Sequence, residues 1–266
     1  VKKKFADYPV IIRGGGDIAT AVAHKLFRAG FPVIITEIEQ PTMVRRMVSF
    51  ANCINEKEFS VEGVTSVFAE TSEEIQRIWK NGKLPVIIDS DCKIKDTLYP
   101  AILVDAILAK KNCGTRKDDA PVVIALGPGF TAGKDADVVV ETNRGHDLGK
   151  LLFEGEAAPD TGIPGTIGGF TTERVLRSPS SGMIHNEAEI GMTVKRGDLI
   201  CSVNGQPVNS QIDGVVRGLI RHGLKVRYGD KIGDIDPRGE IQFCRSISDK
   251  GRNIAGAVLE AALMLL

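Results

Sequence analysis

The chain alternates between short apolar runs and stretches whose apolar positions recur at helical spacing. Val10-Ile11-Ile12 is a run of buried-strand type, and Gly14-Gly15-Gly16 follows it at once. From Ile18 the spacing turns helical, through Ala19, Val22, Ala23, Leu26 and Phe27. Gly30 ends that helix, and Pro32-Val33-Ile34-Ile35 begins a second strand. A strand–helix–strand unit this tight implies a parallel pair with a right-handed crossover. Four later runs, residues 85–89, 101–105, 121–126 and 137–141, are apolar through their middles, as strands covered on both faces are. Before them, Val44, Met47, Val48 and Ala51 predict one buried helical face. Residues 60–69 read as a strand or hairpin, Ser72 opens a short helix to Trp79, and AILAKKN at 106–112 is short enough to be helix or loop. Residues 1–170 are expected to form a Rossmann-like α/β domain with a parallel sheet.

Beyond residue 170 the pattern repeats. Gly182, Gly191 and Gly197 recur as Gly214, Gly223 and Gly229, each 32 residues on, with Val194 matched by Val226, Asp198 by Asp230 and Ile200 by Ile232. Two halves of short strands predict a small all-β domain over 171–240, similar to the barrel-sandwich hybrid of biotinyl and lipoyl domains. Those carriers hold their modified lysine in the hairpin between the halves. Here that tip reads Val203-Asn204-Gly205-Gln206-Pro207, a type I′ turn signal without a lysine, so a carrier role is rejected. Residues 241–266 supply a strand and a helix, with Ile254, Val258, Leu259, Ala262 and Leu265 on one face that packs back on the first domain or on a second subunit.

Charge narrows the functional classes. Lys+Arg and Asp+Glu both number 34 and aromatics make up 5%, which argues against nucleic acid and membrane surfaces as partners. No apolar segment is long enough to span a bilayer, and the basic start of the chain lacks the apolar core of a signal peptide. Cys53, Cys92, Cys113, Cys201 and Cys244 are odd in number and widely spaced, so neither a disulfide framework nor a metal site is expected, and a reducing cytoplasm fits.

The candidate chemistry clusters at strand ends. Gly14, Gly16 and Ala19, with Gly15 between the glycines, fit G-x-G-x-x-A, in which a tight turn brings a ligand to the backbone at a helix N-terminus. Glu37, 21 residues past Gly16, stands where an acid holds a ribose hydroxyl. The same glycines also make an ordinary tight turn, and Asp17 in the first helical turn repels a phosphate. Arg45 and Arg46 are expected near the carboxyl end of the second strand, as ligand contacts or as solvated arginines. Gly127 and Gly129 lie in LGPGFTAG, a loop that brings amides to a ligand or simply turns. In ETNRGHDLG, Asn143 and Arg144 are candidate ligand contacts, Arg144 as a bidentate grip on carboxylate or phosphate. His146 and Asp147 are the candidate proton-handling pair, provided a turn brings the neighbours together.

As a set, GGGDIATAVAHKLFRAGFPVIITEIEQPT with Arg45-Arg46, VDAILAKKN, LGPGFTAG, VVETNRGHDLG, the TGIPG run, DGVVRGLIRHGLKV and KIGDIDPRG resemble the YqeB-type accessory proteins of the selenium-dependent molybdenum hydroxylase system, related to the Rossmann domain of XdhC proteins. The resemblance implies maturation of a hydroxylase. A phosphate-bearing molybdopterin-type cofactor or its dinucleotide would sit at the glycine turn, with a molybdenum hydroxylase as partner and a homo-oligomer compatible with both. An NAD-dependent oxidoreductase and a non-catalytic assembly scaffold are the alternatives. No cysteine lies in the glycine turn or in ETNRGHDLG, which argues against a sulfur or selenium relay there.

Overall fold

The computed structural model describes residues 5–266; the lysines among residues 1–4, which make the chain's start basic, lie outside them. Two units divide the chain. The first comprises the residues up to Pro41, Ser49–Asp160 and Ile247–Leu266; the second comprises Thr42–Val48 and Thr161–Ser246.

The first unit begins with strand β1 (Val10–Arg13), helix α1 (Asp17–Ala29) and strand β2 (Val33–Glu37). Gly30 ends α1 at φ +105°, the left-handed cap that a glycine takes without strain. Then come α2 (Cys53–Glu56), β3 (Glu58–Val61), β4 (Val64–Phe68), α3 (Ser72–Lys80), β5 (Leu84–Ile88), α4 (Lys95–Leu98) and β6 (Ile102–Asp105). Strands β7 (Val122–Leu126), β8 (Thr131–Ala132), β9 (Val138–Val140), β10 (Leu151–Leu152) and β11 (Gly155–Glu156) follow, and α5 (Asp249–Leu265) completes the unit. One nine-stranded sheet runs β10-β9-β7-β6-β1-β2-β5-β4-β3. Its inner strands are parallel, while β3 and β10 pair antiparallel at the edges.

The second unit contains β12 (Val175–Arg177), β13 (Gly182–Asn186), β14 (Thr193–Val194), β15 (Leu199–Val203), β16 (Gln206–Asn209), β17 (Gly214–Leu219), β18 (Lys225–Val226) and β19 (Lys231–Asp236). They form two four-stranded antiparallel sheets, β12-β19-β17-β14 and β16-β15-β13-β18. The 32-residue repeat maps onto β13–β15 and β17–β19, and each half lends its short middle strand to the other half's sheet. Asn204 and Gly205 take φ of +50° and +76° at the β15–β16 hairpin, as a type I′ turn requires.

The chain is α/β, but the finer class expected from sequence is corrected. The Rossmann-like parallel domain is instead a mixed nine-stranded sheet. Its crossovers carry full helices only at α1 and α3; from β6 to β7 the chain is irregular, with Leu108 and Lys110 at φ of +58° and +62° in the segment AILAKKN. The barrel-sandwich hybrid gives way to two separate antiparallel sheets, each extended by an edge strand, β12 or β16, from outside the repeated strands. The helix expected from Val44 to Ala51 is broken into two 3₁₀ turns, Arg46–Val48 and Phe50–Asn52, and the strand expected at the start of 241–266 is a 3₁₀ turn, Ile241–Cys244. Helix α5 packs along α1 and reaches β7 and β9, where no crossover helix lies; Gly251 there leaves room for the Ala21 methyl, 3.0 Å from where its own Cβ would stand.

Candidate functional site

Arg13 ends β1, and the chain turns at once through three glycines that do different work. Gly14 has φ +92°, donates its amide to Thr36 O at 2.8 Å, and would place a Cβ 3.1 Å from Ala106 O. Gly15 would place one 2.7 Å from the Ala51 methyl, and its carbonyl accepts the Ala51 amide at 3.1 Å. Both are therefore fixed by packing. Gly16 is the exception. It is extended, with φ −68°, and a Cβ there would meet nothing within 4 Å. It precedes α1 without a capping side chain, and the first turn of a helix presents amides that have no intrahelical acceptor. Asp17, half-buried, is the acid of that first turn.

Glu37 at the end of β2 is held by backbone. Its Oε2 accepts the Gly15 amide and its Oε1 the Ile38 amide, both at 2.8 Å. Burial pushes its carboxyl up from the usual range, against the opposing pull of those two amides. Each oxygen has a second lone pair with which to accept a ligand hydroxyl. Around this acid the strand ends present apolar side chains: Ile38 after β2, Ile88 at the end of β5 and Ile107 after β6 are each between 37% and 44% exposed. The sheet order β6-β1-β2-β5 puts these three on strands that flank or neighbour the glycine turn.

Beneath the turn lies a buried polar cluster that pattern reading overlooked. Arg13 and Asp105 are register partners at the ends of β1 and β6, and Arg13 Nη1 lies 3.6 Å from Asp105 Oδ2. The Thr115 hydroxyl donates to Asp105 at 2.6 Å and accepts from Arg13. Arg13 Nη2 donates to Ser90 O at 3.2 Å and to Cys113 O at 3.1 Å, so one guanidinium ties two loops to the strand ends. Burial raises the Asp105 carboxyl, with the Thr115 hydroxyl and the Arg13 charge working the other way. The available signal was a charged residue closing two otherwise apolar strands, which reads as a surface end until the register is known.

The other candidates are distributed more widely. Gly127 at φ +75° would put a Cβ 2.5 Å from Thr142 Oγ1, and Gly129 at φ +106° would put one 2.6 Å from Lys111 Cα, so both permit loop packing. The Asn143 amide donates to Glu141 at 2.6 Å, while the Asn143 side chain is exposed. Arg144 makes a bidentate pair with Asp249, at 2.7 and 3.1 Å, in the first turn of α5. His146 is exposed, and the neighbouring Asp147 faces Lys150 at 3.4 Å. Arg45 and Arg46 belong to the second unit. Arg45 donates to Phe243 O and Ser246 O at 2.7 and 3.1 Å, and Arg46 to Leu219 O at 2.8 Å, so carbonyls there take the donors assigned to the end of β2. Cys92, buried near Arg13, has its thiol pushed up to about 11 by desolvation, which keeps it protonated and a poor nucleophile.

Comparison with curated proteins gives a sequence relative. The uncharacterized protein YqeB of Escherichia coli strain K12 is 51% identical over 257 residues, 97% of this chain and 48% of that protein. The chain is YqeB-like along nearly its whole length and spans about half the length of that curated relative. No family model matches. Among solved structures, the product-bound ectoine utilization protein EutE (DoeB) of Ruegeria pomeroyi is 12% identical, over 86% of this chain and 85% of that one, at a TM-score of 0.25. An aspartoacylase family protein of Mesorhizobium loti is 13% identical, over 86% and 84%, at 0.27. Similarity at that level bears on neither mechanism nor substrate. No described helix is long and apolar enough to cross a membrane.

Proposed function

We propose that this chain binds a phosphate-bearing cofactor at the Gly14–Gly16 turn and serves as an accessory protein in maturing a selenium-dependent molybdenum hydroxylase. The observation that carries the binding half is the contrast at the turn. Gly14 and Gly15 are packed against Ala106 and Ala51, while Gly16, at the start of α1, faces open space beside an acid whose position is fixed. A helix N-terminus favours an anion, and Glu37 favours a sugar hydroxyl next to it. A molybdopterin dinucleotide supplies both groups. The maturation half rests on the motif set that resembles the YqeB-type accessory proteins. The five unpaired cysteines fit work in a reducing cytoplasm.

NAD also carries a pyrophosphate and ribose hydroxyls, so Glu37 supports an NAD-dependent oxidoreductase as the second reading. Calorimetric titration with molybdopterin dinucleotide and with NAD separates the two. Gly16→Asp tests the shared site, because its side chain has room and its φ suits any residue. The expected result is a folded protein whose ligand affinity has dropped at least tenfold; undiminished affinity sinks the reading.

A further inference from the structure

A concavity opens at the carboxyl ends of β4 and β5. It holds about 280 Å³ and is walled by Phe68, Ile87, Ile88 and Ile94, with Glu70 and Ser72 at its polar side. That volume lies just under the ~300 Å³ at which small-molecule clefts begin, which is enough for a ring system and too little for a whole dinucleotide. The sheet runs β1-β2-β5-β4, so β5 lies two strand spacings, about 10 Å, from the strand that feeds the glycine turn. Glu37 stands on the strand between them. Phosphate seat, hydroxyl acceptor and apolar slot thus follow one another along a single edge of the sheet.

The slot's charge decides what it takes. The Glu70 carboxylate is exposed, with Lys57 Nζ at 3.9 Å, and Glu73 and Glu74 occupy the first turn of α3 beside it. Thr71 already caps that helix by accepting the Glu74 amide. A phosphate is repelled here, whereas a flat ring with amino hydrogens finds apolar walls for its faces and the Glu70 carboxylate as an acceptor for its edge. We propose that this pocket seats the amino-bearing heteroaromatic base (purine, cytosine or pterin) of the cofactor whose phosphate lies at the glycine turn. The assignment rests on the reading in the preceding subsection for the position of the phosphate.

Calorimetry with pyrophosphate, ADP, CDP, UDP and adenosine tests it on the wild type and three variants. ADP and CDP are expected to bind at least tenfold more tightly than pyrophosphate and than UDP. Ser72→Trp, an exposed position, fills the slot and should erase that gain while leaving pyrophosphate affinity unchanged; a thermal melt verifies folding. Glu70→Lys should abolish the preference for CDP over UDP. Gly16→Asp should lose pyrophosphate yet keep adenosine. Equal binding of ADP and pyrophosphate, a gain that survives Ser72→Trp, UDP equal to CDP, or silence from adenosine each overturns the proposal. If adenosine binds and is lost only in Ser72→Trp while pyrophosphate never binds, the pocket stands and the glycine-turn reading falls.

Discussion

Glu37 Oε2 accepts the backbone amide of Gly15 at 2.8 Å. The acid that sequence spacing assigns to a sugar therefore also buttresses the turn before any ligand arrives. Glu37→Ala removes an acceptor for two amides and leaves the Gly15 donor in a buried turn. Hydrogen bonds to charged groups contribute roughly 1.5–3 kcal/mol, so urea denaturation should show a loss of about 2 kcal/mol. Binding of ADP should fall further than binding of pyrophosphate; an equal fall in both would remove the hydroxyl-acceptor role.

Gly15→Ala distinguishes packing from ligand approach. Its new methyl would lie 2.7 Å from the Ala51 Cβ, and forcing a methyl into a filled site costs about 1–3 kcal/mol. Lowered thermal stability is expected, in contrast to Gly16→Asp, whose melting should be nearly unchanged.

Arg13 and Asp105 form an ion pair that is almost completely out of solvent. Asp105→Asn strands a buried guanidinium, and breaking such a pair costs about 3–5 kcal/mol. Replacing both by apolar residues, Arg13→Met with Asp105→Leu, should restore much of that loss. A double variant less stable than Asp105→Asn alone would show that the links from Arg13 to Ser90 and Cys113 matter more than the pair.

Asp236 supplies an acid-sensitive contact of the second unit. Burial pushes its carboxyl up, but bonds from Arg238 at 2.6 and 2.9 Å outweigh it and hold the group below the usual carboxylate range. The folded state therefore favours the ionised form. Its stabilisation is complete above the ordinary aspartate value near 4 and is lost as pH falls through the lower folded value. Denaturation midpoints measured from pH 6 down to pH 2 should drop steeply in the wild type and less steeply in Asp236→Asn; parallel curves would contradict this.

The Arg144–Asp249 pair looks strong by geometry but is exposed, with Asp249 three-quarters open to solvent. Exposed pairs contribute about 0–1 kcal/mol. Arg144→Ala should therefore change stability by less than about 1 kcal/mol, and any large effect on cofactor affinity would mark a contact with the ligand itself.

How much of this was legible in the sequence depended on range. The β1–α1–β2 unit and the apolar runs of β5, β6, β7 and β9 follow from local pattern, because burial on both faces leaves an unbroken apolar stretch. The Gly-Asp turns of the repeat and the Asn204-Gly205 hairpin were equally readable. Segment 106–112 was not. Its helical spacing is overridden by left-handed residues at Leu108 and Lys110, in a loop whose neighbours at 113 and 115 bond to Arg13. The cluster of Arg13, Asp105 and Thr115 joins residues about a hundred positions apart and appears only once β1 and β6 are aligned. Arg45 and Arg46 escaped for the same reason, since their acceptors lie near residues 219 and 243–246. The class of the whole was misjudged because local units do not reveal the edges: β3 and β10 make the large sheet mixed, and β12 and β16 extend the two small ones.

The exchange of β14 and β18 between the two small sheets has a consequence for how that unit comes apart. Cut at the midpoint of the repeat, neither piece keeps a neighbour for its own middle strand, so each is an incomplete assembly with a borrowed part missing. Unfolding cannot proceed one repeat at a time, as it does in stacked arrays; both copies have to let go together, in a single transition.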